Sequence, residues 1–245
     1  MAAEPVFVGA HWGEGGWLAT AFGPAGHEST CVFEEIGGVW AHYGERARRV
    51  VVSVPIGLPE DDDGRGPEAL ARELLGEQAE EVLPVPVREA TRKRTYRVAN
   101  RVHRRRTGTA LPEAAFQRAP PIAAVDELLG EIPEAREAFA AAHPELCFRA
   151  FAGEPLAEPP DTAAGYAERM RALVAHDRDA PPTVQAVAEG TAGEAVSVRS
   201  VLAATALAYT ARPGDGELRT LPADPERDAR GLSMALCYRA AAPLG

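Results

Sequence analysis

The sequence predicts an α/β fold, a mixed central sheet with helices on both faces and a largely helical insertion. Three observations carry the prediction. The stretch Arg49 to Pro59, RVVVSVPIGLP, is a β-branched apolar run closed by prolines and a glycine, the pattern of a central strand buried on both faces. Three short apolar runs separated by glycine-rich turns precede it, as in an antiparallel meander. Most of the chain beyond Pro59 repeats at the three- and four-residue spacing of helices.

In chain order, Val6 to Ala10 is the first strand, His11-Trp12-Gly13-Glu14-Gly15-Gly16 a turn, and Trp17 to Phe22 the returning strand. Gly23-Pro24-Ala25-Gly26 is a second turn before a strand near Ser29 to Phe33. Glu34 to Arg48 places Ile36, Val39, Trp40 and Tyr43 on one face of a helix, which delivers the chain to the strand at Val50 to Val54. Pro55-Ile56-Gly57-Leu58-Pro59 cannot extend that strand, because proline donates no ladder bond. The strand therefore opens into a loop at the sheet edge, where α/β sheets place ligands, with Ser53 or its neighbour in the mouth. Strand, strand, strand, helix, strand, the fourth strand parallel to the first, is the opening of an RNase H-like mixed sheet. One such domain is expected over 1–245, with its mainly helical insertion at about 67–142.

Asp61-Asp62-Asp63-Gly64 reads as a solvated acidic loop in preference to a cation site. Pro67 to Gly76 is a helix opened by proline and closed by glycine, and Pro84-Val85-Pro86 is an extended connector. Residues 91–106, TRKRTYRVANRVHRRR, carry eight basic side chains and no acid. On a helix Arg94, Arg97, Arg101, Arg104 and Arg105 would form one stripe about 16 Å long, with Tyr96, Ala99 and Val102 facing inward. A solvated helix that pairs with the chain's surplus carboxylates is the plainer reading. A groove for nucleic acid is the other, and a homodimer through this face a third.

Leu111 to Leu129 reads as two helical pieces broken at Pro120-Pro121, and Ile132 to Ala142 as a short helix. His143-Pro144-Glu145 is a turn running into Leu146-Cys147-Phe148, which reads as strand. His143 and Glu145 suit a metal ion or a proton shuttle, although a turn cap and an arginine pair would use the same residue types. After a proline-rich loop at 153–160, Ala163 to His176 is amphipathic and Ser197 to Ala211 is an alanine-rich buried helix. Leu232 to Tyr238 is the last strand.

Composition narrows the classes of function. At 46% hydrophobic and 25% charged the chain is that of an ordinary globular protein, and no apolar run reaches the roughly 18 to 20 residues of a membrane span. The start MAAEPVFVG lacks a signal pattern, so no membrane partner and a cytoplasmic setting are expected. Cys31, Cys147 and Cys237 are too few and scattered for a disulfide framework or a structural zinc site. The net charge is −10, and 25 of the 26 basic residues are arginine, Lys93 being the exception. Such an acidic balance discourages indiscriminate binding to nucleic acid.

Gly9-Ala10-His11-Trp12-Gly13-Glu14-Gly15-Gly16-Trp17, then Ser53-Val54-Pro55-Ile56-Gly57-Leu58-Pro59, then His143-Pro144-Glu145, and last Asp228 with Gly231-Leu232 and Met234 match the order of four motifs. The motifs are G-V-D-G-C-R-G-G-W, D-I-P-I-G-L-P, H-P-E and D-x-x-G-L-x-M. In them the chain resembles, over nearly its whole length, an uncharacterised prokaryotic family of predicted RNase H-like nucleases, the domain of unknown function 429 family. The resemblance implies a catalytic site at His11, Ser53, Glu145 and Asp228, with magnesium or manganese as the divalent cation of an active member. RNase H-type cleavage holds two such ions about 4 Å apart on three or four carboxylates. By the same resemblance the first-strand acid falls on His11, the central-strand acid on Ser53, the acids opening the late helix on Ser200 and Ala203, and the acid before H-P-E on Ala141. Glu145 and Asp228 remain, with Glu68 where the family tends to have an aspartate. Hard magnesium wants anionic oxygen, so these acids are too few to cage two ions, and no metal ligand set is assigned.

Three functions are compatible with these residues. The favoured one is a family member that kept the fold, lost the chemistry and now acts in binding or interaction. The alternative is an active metal-dependent nuclease whose rearranged site shares one softer ion among His11, Glu145 and Asp228. The third takes Gly13-Glu14-Gly15-Gly16 as the phosphate hairpin of the sugar-kinase and actin branch, which Glu14 would oppose by charge.

Overall fold

The computed structural model describes residues 4–61 and 66–245. Asp62-Asp63-Gly64 of the acidic loop lies outside them. β1 (Val6–Gly13), β2 (Gly16–Gly23) and β3 (Gly26–Phe33) form the expected meander, and α1 (Ile36–Tyr43) leads into β4 (Ala47–Val52). The β1–β2 turn holds Glu14 at φ +50° and Gly15 at φ +83°, the two left-handed central residues of a tight hairpin. β4 runs parallel to β1, with Val8 beside Val50 and Ala10 beside Val52.

Between β4 and the next strand the chain is helical: α2 (Gly66–Leu75), a 3₁₀ segment at Gly76–Glu81, α3 (Arg88–Thr91), α4 (Tyr96–Thr107), α5 (Glu113–Gln117), α6 (Ala119–Glu131) and α7 (Pro133–Ala138). β5 (Phe139–Ala141) then pairs parallel to β4 and completes the order β3-β2-β1-β4-β5. This is the RNase H-like mixed sheet that the sequence predicts. α8 (Pro144–Ala152), α9 (Ala163–His176), α10 (Ala180–Glu189) and α11 (Val198–Ala211) come next, then a separate two-stranded sheet of β6 (Glu217–Leu221) and β7 (Leu236–Ala240).

Several local expectations are corrected. The two helical pieces expected over 111–129 are α5 and α6, but they part at Arg118, and Pro120-Pro121 lies in the first turn of α6, where a proline forfeits no helical bond. Residues 132–142 are not one helix, because α7 stops at Ala138 and Phe139-Ala140-Ala141 pairs with β4. Leu146-Cys147-Phe148 is helix, opened by Pro144. The last strand starts at Leu236 and joins β6, not the central sheet. α10 and β6 are elements that the sequence reading lacks.

The core explains the sheet. Val50 and Val52 pack with Val6, Val8, Ile36 and Val39 on one side, while Val51 joins Leu202, Ala206 and Leu207 of α11 on the other. β4 is thus buried on both faces. α11 lies directly on β1: a Cβ at Gly9 would stand 2.2 Å from the Ala208 nitrogen and 2.5 Å from the Ala204 oxygen. A glycine on the strand facing alanines on the helix permits that approach.

Candidate functional site

β1 and β4 carry His11 and Ser53 to the same edge of the sheet. The Ser53 amide donates to the Ala10 carbonyl at 3.1 Å, and the Ser53 hydroxyl accepts from the Trp12 amide at 2.9 Å. Just past β5 the Ala142 amide donates to the Val52 carbonyl at 2.9 Å, which brings His143 and the start of α8 alongside. His11 and Glu145 line one cavity of about 30 Å³, with Ala203 of α11 and His143. Ser53 and Glu68 line a second of about 40 Å³, and Arg118 and His143 border both. Four positions that the resemblance links to one site, His11, Ser53, Glu145 and Ala203, therefore meet around two adjoining cavities.

Three arginines face three glutamates there: Glu81 and Glu145 line the His11 cavity and Glu68 the Ser53 cavity. Arg118, Arg169 and Arg199 all line the His11 cavity. Arg169 holds Glu145 at two points, Nη2 to Oε2 at 2.6 Å and Nε to Oε1 at 3.1 Å, with both side chains buried. Burial pushes the Glu145 carboxyl up and the Arg169 guanidinium draws it back. Arg199 is held by Glu81 and Asp161. Arg118, between α5 and α6, has no side-chain acceptor among the described residues; burial and then Arg199 depress its pKa.

Both histidines are neutral at pH 7. His11 is 8% exposed, and its pKa falls to about 3 because burial disfavours the charged ring and Arg118, Arg199 and His143 repel it. His143 also falls to about 3, through burial and then Arg118, while its Nε2 meets the Glu81 carbonyl at 3.1 Å. Nδ1 of each ring is buried without a partner among the described residues. Ser200 stands beside them: a Cβ at Gly13 would lie 2.7 Å from its Oγ and 3.3 Å from His11 Nε2. The Ser200 hydroxyl donates to Glu14 Oε2 at 2.8 Å, so the exposed hairpin glutamate is tied to α11.

Asp228 stands elsewhere. Its Oδ1 accepts from the amides of Leu232 at 2.8 Å and Arg230 at 2.9 Å; its Oδ2 accepts from the Leu58 amide at 2.9 Å and Arg88 at 2.5 Å. Arg88 continues to Asp126 and Glu60. Gly57, at φ +72°, packs so closely that a Cβ there would lie 2.8 Å from Met234 Cγ. Asp228 thus clamps the P-I-G-L-P loop to the G-L-x-M segment, and the structure does not bring it to His11 and Glu145. Among the described residues, no three His, Cys, Asp or Glu side chains are grouped as a metal site.

In the basic segment α4 begins at Tyr96, so Arg94 precedes the helix and is no part of its stripe. Arg94, Arg97, Arg101, Arg104 and Arg105 are all exposed. Arg105 reaches Glu89 at 3.9 Å, and Arg106 pairs with Asp61 and Glu89. Arg94, Arg97, Arg101 and Arg104 make no ion pair among the described residues. Ala99 faces inward as expected, and so does His103, whose Nδ1 accepts from the Val87 amide at 3.2 Å.

Sequence reasoning missed Arg118, Arg169 and Arg199. Each is a lone arginine within or beside a helix, with no motif around it; the one available signal was the loss of acids opposite them.

A mixed sheet with a polar mouth beyond its parallel strands defines an α/β protein of RNase H-like architecture. The family model described as "Protein of unknown function (DUF429)" matches residues 13–227, and the chain belongs to that family. No curated protein and no solved structure matches it. Among the described residues no helix is long and apolar enough to cross a membrane.

Proposed function

We propose that this chain is a non-hydrolytic member of its family that binds nucleic acid through α4. The observation that carries the reading is the stripe of Arg97, Arg101 and Arg104, exposed and free of ion pairs among the described residues on a protein of net charge −10. The stripe rises about 10 Å along the helix, enough to track a phosphate backbone. The loss of hydrolysis is supported by the mouth itself, where Arg169 pairs with Glu145 and Arg199 with Glu81, two neutral histidines and a serine stand between them, and Glu68 is the one further carboxylate lining the cavities among the described residues. Such a donor set attracts magnesium poorly.

Fluorescence anisotropy with labelled single- and double-stranded DNA, RNA and hybrids tests the binding. Affinity should fall steeply as salt rises, and the pair Arg97→Glu, Arg101→Glu should weaken every sequence about equally, because phosphate contacts carry no base information. Sedimentation at varied salt separates this from a homodimer through the same face. Binding that ignores salt would sink the reading. The same nucleic acids incubated with magnesium, manganese and zinc test the chemistry. Cleavage that vanishes in His11→Ala or Glu145→Ala would establish an active nuclease instead. No cleavage, with magnesium binding gained in a His11→Asp, Ser53→Asp double variant, supports the lost site.

A further inference from the structure

Two features of the mouth are left over by a merely lost metal site. Arg118 is a half-buried guanidinium without a side-chain acceptor among the described residues. His11, 8% exposed, lines the same cavity, and its Nδ1 is buried without a partner among the described residues. A guanidinium with no paired acid can receive an anion, and a buried ring nitrogen without a partner is costly, so this pairing points to a ligand. The other charges nearby are matched: Arg199 by Glu81 and Asp161, Arg169 by Glu145, and Arg72 Nε by the Val82 carbonyl at 2.9 Å. Glu68 is the acid that lines the Ser53 cavity with Arg118, and the exposed Glu14 is held by Ser200.

We infer that the two cavities meeting at Arg118 and His143 form a binding site for a small oxyanion, and that the site prefers hydrogen phosphate. Arg118 offers parallel N–H donors to two of its oxygens. The tautomer of His143 decides the rest. A carbonyl can only accept, so Nε2 carries the proton toward Glu81, and Nδ1 of the neutral ring presents a lone pair. That lone pair accepts from an anion that carries a hydroxyl. Hydrogen phosphate has one at neutral pH; sulfate has none and would set its own lone pairs against Nδ1. Cavities of about 30 and 40 Å³ admit a group of a few waters' size and exclude a nucleotide. Exchange of acids for His11, Ser53 and Ala203 would then have turned a cation site into an anion site. The inference does not rest on nucleic-acid binding by α4.

Isothermal titration calorimetry on the whole chain at neutral pH, with inorganic phosphate, sulfate, acetate and adenosine monophosphate, tests it. Phosphate should bind at one site, about tenfold or more tighter than sulfate, with acetate and the nucleotide weaker still. Arg118→Gln should lose about tenfold or more in phosphate affinity, and His143→Leu should bring phosphate and sulfate together. Phosphate that binds no tighter than sulfate to the unaltered protein overturns the inference, as does unchanged phosphate affinity in a folded Arg118→Gln chain. The unaltered protein decides alone if either variant fails to fold, since its anion preference needs no substitution. Phosphate and nucleotide binding equally would move the site from free phosphate to a terminal phosphate and overturn the size argument.

Discussion

Arg169 and Glu145 form a two-point ion pair beneath the surface, 2.6 and 3.1 Å between their facing atoms, with 1% and 4% of the side chains exposed. Arg169 also donates to the carbonyls of Glu158 and Gly165, each at 3.0 Å, so the pair ties α8 to the start of α9. Removing one partner leaves the other charge buried and alone. Arg169→Met and Glu145→Gln should each lower stability by about 3 to 5 kcal/mol, and the double variant should lose less than their sum. Urea unfolding of the four proteins checks this. Additive losses would mean that the two groups do not act as a pair.

Gly9 is the contact point between β1 and α11. Gly9→Ala puts a methyl 2.2 Å from the Ala208 nitrogen, and backbone cannot move aside as a side chain tip can. A loss of about 3 kcal/mol or more, or failure to fold, is expected. Thermal unfolding of Gly9→Ala beside Gly66→Ala, where a Cβ would meet nothing, measures it.

Asp228 should matter for stability and not for any metal. Asp228→Asn keeps an acceptor for the loop amides but faces Arg88 with a neutral group. A loss of about 2 to 3 kcal/mol is expected, with phosphate and nucleic-acid binding kept. A variant of full stability that had lost a binding activity would return Asp228 to the site.

Acid should destabilise the chain through the two buried histidines. Folded, His11 and His143 titrate near 3; unfolded, near 6.5. Between those values the unfolded state binds more protons, so stability rises with pH there and is lost as pH falls from about 6.5 toward 3. The slope is about 1.4 kcal/mol per pH unit for each ring, and above about 6.5 the rings add none. Glu145, its pKa raised by burial, slopes the other way near its own titration, but it is common to both proteins in a comparison with His143→Gln. That variant should show the shallower acid slope. Equal slopes would place the His143 ring in contact with water.

The meander, β4 and α11 were legible because each is a run of one period: alternating or continuous β-branched residues for the strands, small apolar residues for the helix. Phe139-Ala140-Ala141 has neither signature and becomes a strand because β4 offers it an unpaired edge. The two helical pieces around Pro120 and Pro121 are legible, but their junction falls at Arg118, because a proline interrupts a helix only after its first turn. The mouth divides in the same way. The resemblance placed His11, Ser53, Glu145 and Ala203 together, as the strand ends and α11 then do. It could not tell that Asp228 would be consumed by the Leu58, Arg230 and Leu232 amides, since capping amides leave no mark on the residues they bind. Nor could it find Arg118, Arg169 and Arg199, which come from an interhelical junction, α9 and α11. The sequence by itself determined which backbone could form and that the acids were missing. The charge of the mouth was decided by tertiary structure alone, because electrostatics depends on which distant side chains share a buried space, and local periodicity carries no record of that.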